Sequence, residues 1–178
     1  MQMRLLEDDL DPQAPLTLPA AIRAFYLRDG EARIGAAALA PDTALFSEGA
    51  VTITGRGRLW RFEVAPGSPG QQPSAEDRTR LLLARPLLRD ATQPFVLRLD
   101  RVNFTPDVET PRHGHFGQGI RRLLDGRLLL TIGDRMERRQ AGDAWFETGE
   151  EPVTARGLQP GTAFIRALVM DAAMQGQS

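Results

Sequence analysis

The chain holds only two histidines, His113 and His115, in the segment Thr110-Pro-Arg-His-Gly-His-Phe-Gly-Gln-Gly-Ile-Arg121. On an extended backbone, residues i and i+2 share a face, so both imidazoles can reach one ion from one side of a sheet. Two neutral imidazoles are half a metal site. A catalytic metal takes three or more protein ligands, and without a carboxylate a divalent ion is held weakly. A third donor would have to come from Glu109, Gln118, Glu147 or Glu150. The alternative is a pair of solvent-facing or hydrogen-bonded imidazoles beside a Pro-Arg turn.

The same alternation singles out Arg121. If His113, His115 and Gly119 face inward, Arg121 follows them and Arg122 points out. Leaving a buried guanidinium unpaired costs several kcal/mol. Arg121 is therefore expected either to pair with an interior carboxylate such as Glu147 or to hold the carboxylate of a bound metabolite. Along Trp145-Phe146-Glu147, either Trp145 and Glu147 or Phe146 can face inward, and pattern alone leaves the register open.

Composition narrows the classes around these residues. The 178 residues carry 22 Lys+Arg and 23 Asp+Glu, for a formal net charge of -1. That balance supplies no global field for a polyanion, so nucleic acid is not an expected partner. There is no cysteine and no lysine, which excludes disulfides, thiolate nucleophiles, thiolate zinc sites and catalytic lysines. The N-terminal Met1-Gln-Met-Arg-Leu-Leu-Glu-Asp-Asp-Leu10 turns acidic before an apolar run develops. It reads as neither secretory signal nor membrane span, so a cytoplasmic protein is expected. No phosphate-cradling glycine loop ending in Lys and no Gly-x-Ser-x-Gly elbow occurs.

Short apolar blocks separated by Gly, Pro and Asp predict a mostly β chain. Expected strands are 22–27, 32–39, 43–46, 51–54 and 59–64 in front, then 80–84, 95–104, 119–124, 127–132, 144–147, 153–155 and 163–170. Turns are expected at Asp29-Gly30, Pro41-Asp42, Gly55-Arg-Gly57, Asp125-Gly126 and Gly133-Asp134. Pro66 to Ser74 reads as loop, a short helix is possible from Ser74, and residues 1–10 and 175–178 read as mobile tails. Residues 21–35 and 40–52 echo 119–133 and 141–154 in the order of their features, which predicts a duplicated β unit. The expected division is 1–65, a linker at 66–79, and 80–178.

Pro111-Arg-His-Gly-His115, Gly119-Ile-Arg-Arg-Leu-Leu-Asp-Gly126 and Ala141-Gly-Asp-Ala-Trp-Phe-Glu147 together resemble the two motifs of the cupins, G(x)5HxH(x)3-4E(x)6G and G(x)5PxG(x)2H(x)3N. The likeness covers about 95–171, with a degenerate front copy in 22–64. It implies an all-β, cupin-type jelly-roll barrel, and the front copy allows it to be built from two related halves. It also implies a metal on His113 and His115, one divalent ion such as Zn, Fe, Mn or Ni. The motif's Glu falls at Gly119 and its last His within 152–154, where neither ligand type occurs. The Gly at 119 is expected to leave room at that spot. Phe146 falls where cupins place an apolar core residue, which would send Trp145 and Glu147 outward or to a subunit contact.

The leading functional expectation is binding of a small polar or anionic molecule in the barrel, with Arg121, Gln118 and Glu147 as ligand-binding residues. The alternatives are a metal-dependent cupin enzyme of dioxygenase, isomerase or lyase type, and a non-catalytic structural or regulatory module. A homodimer is possible through apolar strands around 164–170, and no membrane partner is expected.

Overall fold

A computed structural model describes residues 1–66, 78–90 and 93–174. The described residues contain no α-helix, and a single 3-10 turn at Ala172–Met174 follows the last strand. The chain divides into two compact units, Met1–Leu87 and Leu88–Ser178.

The first unit contains β1 (Gln2–Leu10), β2 (Leu16–Leu18), β3 (Ile22–Ile34), β4 (Ala37–Leu39), β5 (Ala44–Ser47), β6 (Val51–Ala65) and β7 (Thr79–Pro86). They form one antiparallel sheet in the order β4-β3-β6-β1-β7, with β5 joined to β3 and β2 to β6. The residues expected to be a mobile N-terminal tail are thus an inner strand. Leu5 and Leu6 are fully buried in β1, and two of the acidic residues that broke the apolar pattern, Glu7 and Asp8, are buried too, because each has a partner. Asp8 receives a two-pronged contact from Arg61 at 2.9 Å, and Glu7 accepts from the Trp60 indole at 3.0 Å. Two expected turns are absent: Asp29-Gly30 and Gly55-Arg-Gly57 lie inside β3 and β6, where Gly30 pairs with Gly57 and Ala32 with Gly55. The strands approach so closely there that a Cβ on Gly30 would meet the Arg56 carbonyl oxygen at 2.0 Å. Strand β7 pairs with β1, so 79–86 belongs to the first unit, with the division falling at Leu87. The suggested helix start at Ser74 and the tail at 175–178 lie outside the described residues.

The second unit contains β8 (Phe95–Asn103), β9 (Gly117–Asp125), β10 (Arg127–Ile132), β11 (Arg135–Gln140), β12 (Ala144–Glu147), β13 (Val153–Gly157) and β14 (Ala163–Asp171). One sheet runs β12-β9-β14-β8, the other β11-β10-β13. Between them lies an apolar core of Leu123, Leu128, Leu130, Ile132, Trp145, Val153, Ala155 and Phe164. Trp145 meets Phe164 edge-on, 5.4 Å between ring centroids. Each such side chain adds roughly 1.5–3 kcal/mol by leaving water. Strand β14 lies inside its sheet with its apolar side chains buried, so it offers no open apolar face.

The two units share a local design. In the first, the Leu27 amide donates to the Thr43 carbonyl and the Asp42 amide to Leu27; in the second, the Leu123 amide donates to Asp143 and the Gly142 amide to Leu123. Asp42 and Gly142 both hold positive φ, 59° and 93°. Counting back from these turns places Phe25 opposite Arg121 in the comparison, and Arg23 opposite Gly119.

Candidate functional site

In an antiparallel sheet, residues directly opposite one another share a face, so the register of β12, β9, β14 and β8 can be read as rungs. Leu123, Phe164 and Val102 make an apolar rung. The next is Trp145, Arg121, Arg166 and Asp100, followed by Glu147, Gly119, Leu168 and Arg98. One end of the interior is therefore oily and the other charged. Trp145 and Glu147 are both buried inside, at 3% and 4% exposure. The expectation that they point outward while Phe146 fills the core is reversed: an interior guanidinium at Arg121 needs a carboxylate beside it, which outweighs the preference for Phe146.

Arg121 and Arg166 face each other across the strands, an arrangement that like charges disfavour. A carboxylate stands on each side. Arg166 contacts Asp100 Oδ2 through Nε at 3.2 Å and Nη2 at 2.8 Å, and Arg98 Nε donates to Oδ1 at 2.8 Å. Arg121 Nη2 lies 2.8 Å from Glu147 Oε2, and Arg121 Nη1 donates to the Gly119 carbonyl at 2.7 Å. His115 Nε2 approaches the same Oε2 at 3.1 Å. Neither Arg121 Nη2 nor Oε2 makes an aligned hydrogen bond, although both atoms are buried. The contacts at Oε2 are contacts of charge. Glu147 Oε1, by contrast, accepts from the Trp145 indole at 2.7 Å.

These contacts set the protonation of the cluster. Burial pushes the Glu147 carboxyl up, but the Arg121 charge and the His115 and Trp145 contacts outweigh it and hold the group below the ordinary carboxylate range. Burial pushes Arg121 down to about 10; Glu147 opposes that fall and Arg166 adds to it. Asp100 is likewise held low, burial being overcome by Arg98 and Arg166. Arg121 and Arg166 thus stand against Glu147 and Asp100, with Arg98 reaching Asp100 from a partly exposed position.

His113 and His115 do come together, their rings edge-on with centroids 4.9 Å apart. His113 is exposed, pairs its backbone with Val153, and turns Nδ1 to the Pro111 carbonyl at 2.7 Å. Gln118 does not join Arg121. It lies on the opposite face of β9, where its amide clamps the Leu88 backbone, accepting at 2.7 Å and donating at 3.0 Å. Glu109 and Glu150 are exposed. An open cleft of about 280 Å³ reaches His115, lined also by Arg89, Gln118, Thr148, Glu150 and Asp171. Sequence reasoning missed Asp100 and Arg166. Their signal was a charge set within each of two apolar strands, Phe95–Asn103 and Ala163–Asp171.

A divalent metal does not fit this donor set. Among the described residues no three His, Asp or Glu side chains are grouped to hold one. Glu147, the carboxylate that His115 touches, is already in contact with Arg121. A dication about 4 Å from that guanidinium would be repelled by on the order of 8 kcal/mol at an effective dielectric of about 20. Nor is there room at Gly119 for the motif's missing carboxylate, contrary to expectation. A Cβ there would sit 2.0 Å from the Ala167 carbonyl oxygen and 2.9 Å from Leu168 Cα.

No family model matches the chain, and no curated protein matches it. Solved structures do. A single-site variant of salicylate 1,2-dioxygenase from Pseudoaminobacter salicylatoxidans is similar over 98% of this chain and 73% of its own, with a TM-score of 0.62 at 14% identity. A cupin 2 conserved barrel domain protein from Leptotrichia buccalis matches 95% of this chain and 88% of its own, TM-score 0.55, again at 14% identity. The chain has a cupin fold. Protein Ylba from E. coli agrees, with a TM-score of 0.55 at 13% identity over 87% of this chain and 75% of its own. At such identities the likeness concerns the fold, and the cupin interior here must be interpreted from its own side chains.

Proposed function

We propose that the second unit binds a small anionic molecule, carboxylate or similar, at the charged end of its interior, reached from the cleft beside His115. The observation that carries this reading is Arg121: its Nη2 is buried without an aligned hydrogen bond, and a second guanidinium, Arg166, faces it across the strands. A buried guanidinium donor without an aligned partner is costly, and an anion of the right size relieves it. His115 links the two places, since it lines the cleft and touches Glu147. A planar guanidinium fork also suits a carboxylate better than an ammonium would.

The test is thermal shift and calorimetry with acetate, succinate, benzoate and phosphate, each beside a neutral amide or ester counterpart. One anion class should stabilise the protein while its neutral counterpart does not, and Arg121→Lys should lose most of that stabilisation. Indifference to every anion at millimolar concentration would refute the proposal. A second reading, a module without ligand, is favoured by the apolar rung of Leu123, Phe164 and Val102, which with Trp145 fills the other end of the interior. That outcome would be the same indifference.

A further inference from the structure

We infer that Arg121 is a resident cation standing where a metal would otherwise be held, and that its guanidinium keeps the interior of the second unit closed to divalent ions. Three observations converge on this. First, Arg121 Nη2 and His115 Nε2 meet at a single oxygen, Glu147 Oε2, at 2.8 and 3.1 Å. An ion held jointly by His115 and Glu147 would lie about 2.0–2.2 Å from each donor atom, which is the space that the guanidinium contact controls. Second, the backbone has closed over the alternative donor. Strands β9 and β14 meet at Gly119 so tightly that no side chain can stand there, and the Gly119 carbonyl is occupied by Arg121 Nη1 at 2.7 Å.

Third, the first unit repeats the solution without any histidine. Arg23, the counterpart of Gly119, is fully buried and places Nε 2.5 Å from Glu63 Oε2. Arg61, on the strand alongside, reaches the same oxygen at 3.2 Å, and Arg4 contacts the other. In both units, then, a buried arginine holds an interior carboxylate: three guanidiniums reach Glu63, and Arg121 reaches Glu147 beside His115. The units differ in that Arg23 also donates to the Ala21 and Gly49 carbonyls, whereas Arg121 Nη2 lacks an aligned partner.

The protein suits a direct test, because it has no cysteine and only two histidines, so any site with an imidazole donor must use His113 or His115. Untagged protein is incubated with Zn, Ni or Mn, freed of excess ion and assayed for bound metal by atomic emission, with thermal shift in parallel. The wild type should retain only sub-stoichiometric metal and show no metal-dependent shift. Arg121→Met should gain a site, binding at least about tenfold tighter and melting higher with metal. The gain should vanish in Arg121→Met/Glu147→Gln and in Arg121→Met/His115→Ala. Arg121→Lys keeps the charge and should still refuse the ion. Should Arg121→Met not fold, Arg121→Gln, which can still donate to Glu147, is used in its place. Stoichiometric metal on the wild type that is lost in His115→Ala would overturn the inference. So would a folded Arg121→Met or Arg121→Gln protein as indifferent to metal as the wild type.

Discussion

Removing Glu147 should cost far more than its contacts are worth, because what remains is a charge in the wrong place. Arg121 is fully buried, and its counter-charge is Glu147 at 2.8 Å. Breaking a buried pair by deleting one partner typically costs about 3–5 kcal/mol, whereas replacing both by apolar groups of similar volume is near neutral or stabilising. Glu147→Gln preserves shape and an acceptor for the Trp145 indole, so the loss is one of charge and lands near the lower figure. For a chain of this size, about 3 kcal/mol corresponds to roughly 6–12 °C in melting temperature. Arg121→Met should fall by a similar amount, and Arg121→Met/Glu147→Gln, which removes both charges and keeps the acceptor for the Trp145 indole, should return to within about 1.5 kcal/mol of the wild type. The assay is urea unfolding followed by tryptophan fluorescence in a Trp60→Phe background, which leaves Trp145 as the reporter inside the second unit. If the two single substitutions simply add in the double variant, or Glu147→Gln costs less than about 1 kcal/mol, the pair is not the element that this account takes it to be.

The carboxyls of Glu147, Asp100 and Glu63 are all held below their ordinary values. Their stabilisation is complete above the unfolded values, 4.5 for Glu and 3.8 for Asp, and is lost as pH falls through the lower folded ones. Urea midpoints should therefore fall with acid below about pH 4.5, less steeply in Glu147→Gln. Gly119→Ala forces a Cβ against the Ala167 carbonyl and should cost about 3 kcal/mol or more, measured by calorimetry; a neutral outcome would mean that β9 and β14 are free to separate. In the first unit, Arg61→Met strands Asp8 and should lower the urea midpoint more than Arg23→Met, which leaves Glu63 with Arg4 and Arg61. Gln118→Ala removes two bonds to the Leu88 backbone and should cost about 1–3 kcal/mol, seen in the same unfolding curves.

Much of the architecture was legible in the sequence because period-2 alternation and turn chemistry are local. Strands β9, β10, β12 and β14 were anticipated to within a residue or two, and a contact of Arg121 with Glu147 was one of the two alternatives open for Arg121, against the outward course expected of Glu147. What escaped was what partners decide. Asp8 and Glu7 look like the start of a solvated tail until Arg61 and Trp60, some fifty residues away in sequence, are placed against them. Gly30 and Gly57 look like turn residues, yet their missing side chains let two long strands touch. The inward face of β12 could not be chosen from its own four residues, since Trp145 and Phe146 are equally apolar; the decision came from Arg121 on the neighbouring strand.

The position of β1 also bears on how the chain is made. Its partners are β6 and β7, so β1 leaves the ribosome ahead of both and has no neighbour until Val51–Ala65 has been synthesised. At ordinary elongation rates that delay is on the order of several seconds. Throughout it, Met3, Leu5 and Leu6 lack the cover they receive in the finished sheet. The acidic run Glu7-Asp-Asp9 that follows them does double service: an unpaired strand bearing three negative charges resists joining another nascent chain, and two of those charges later find their partners inside.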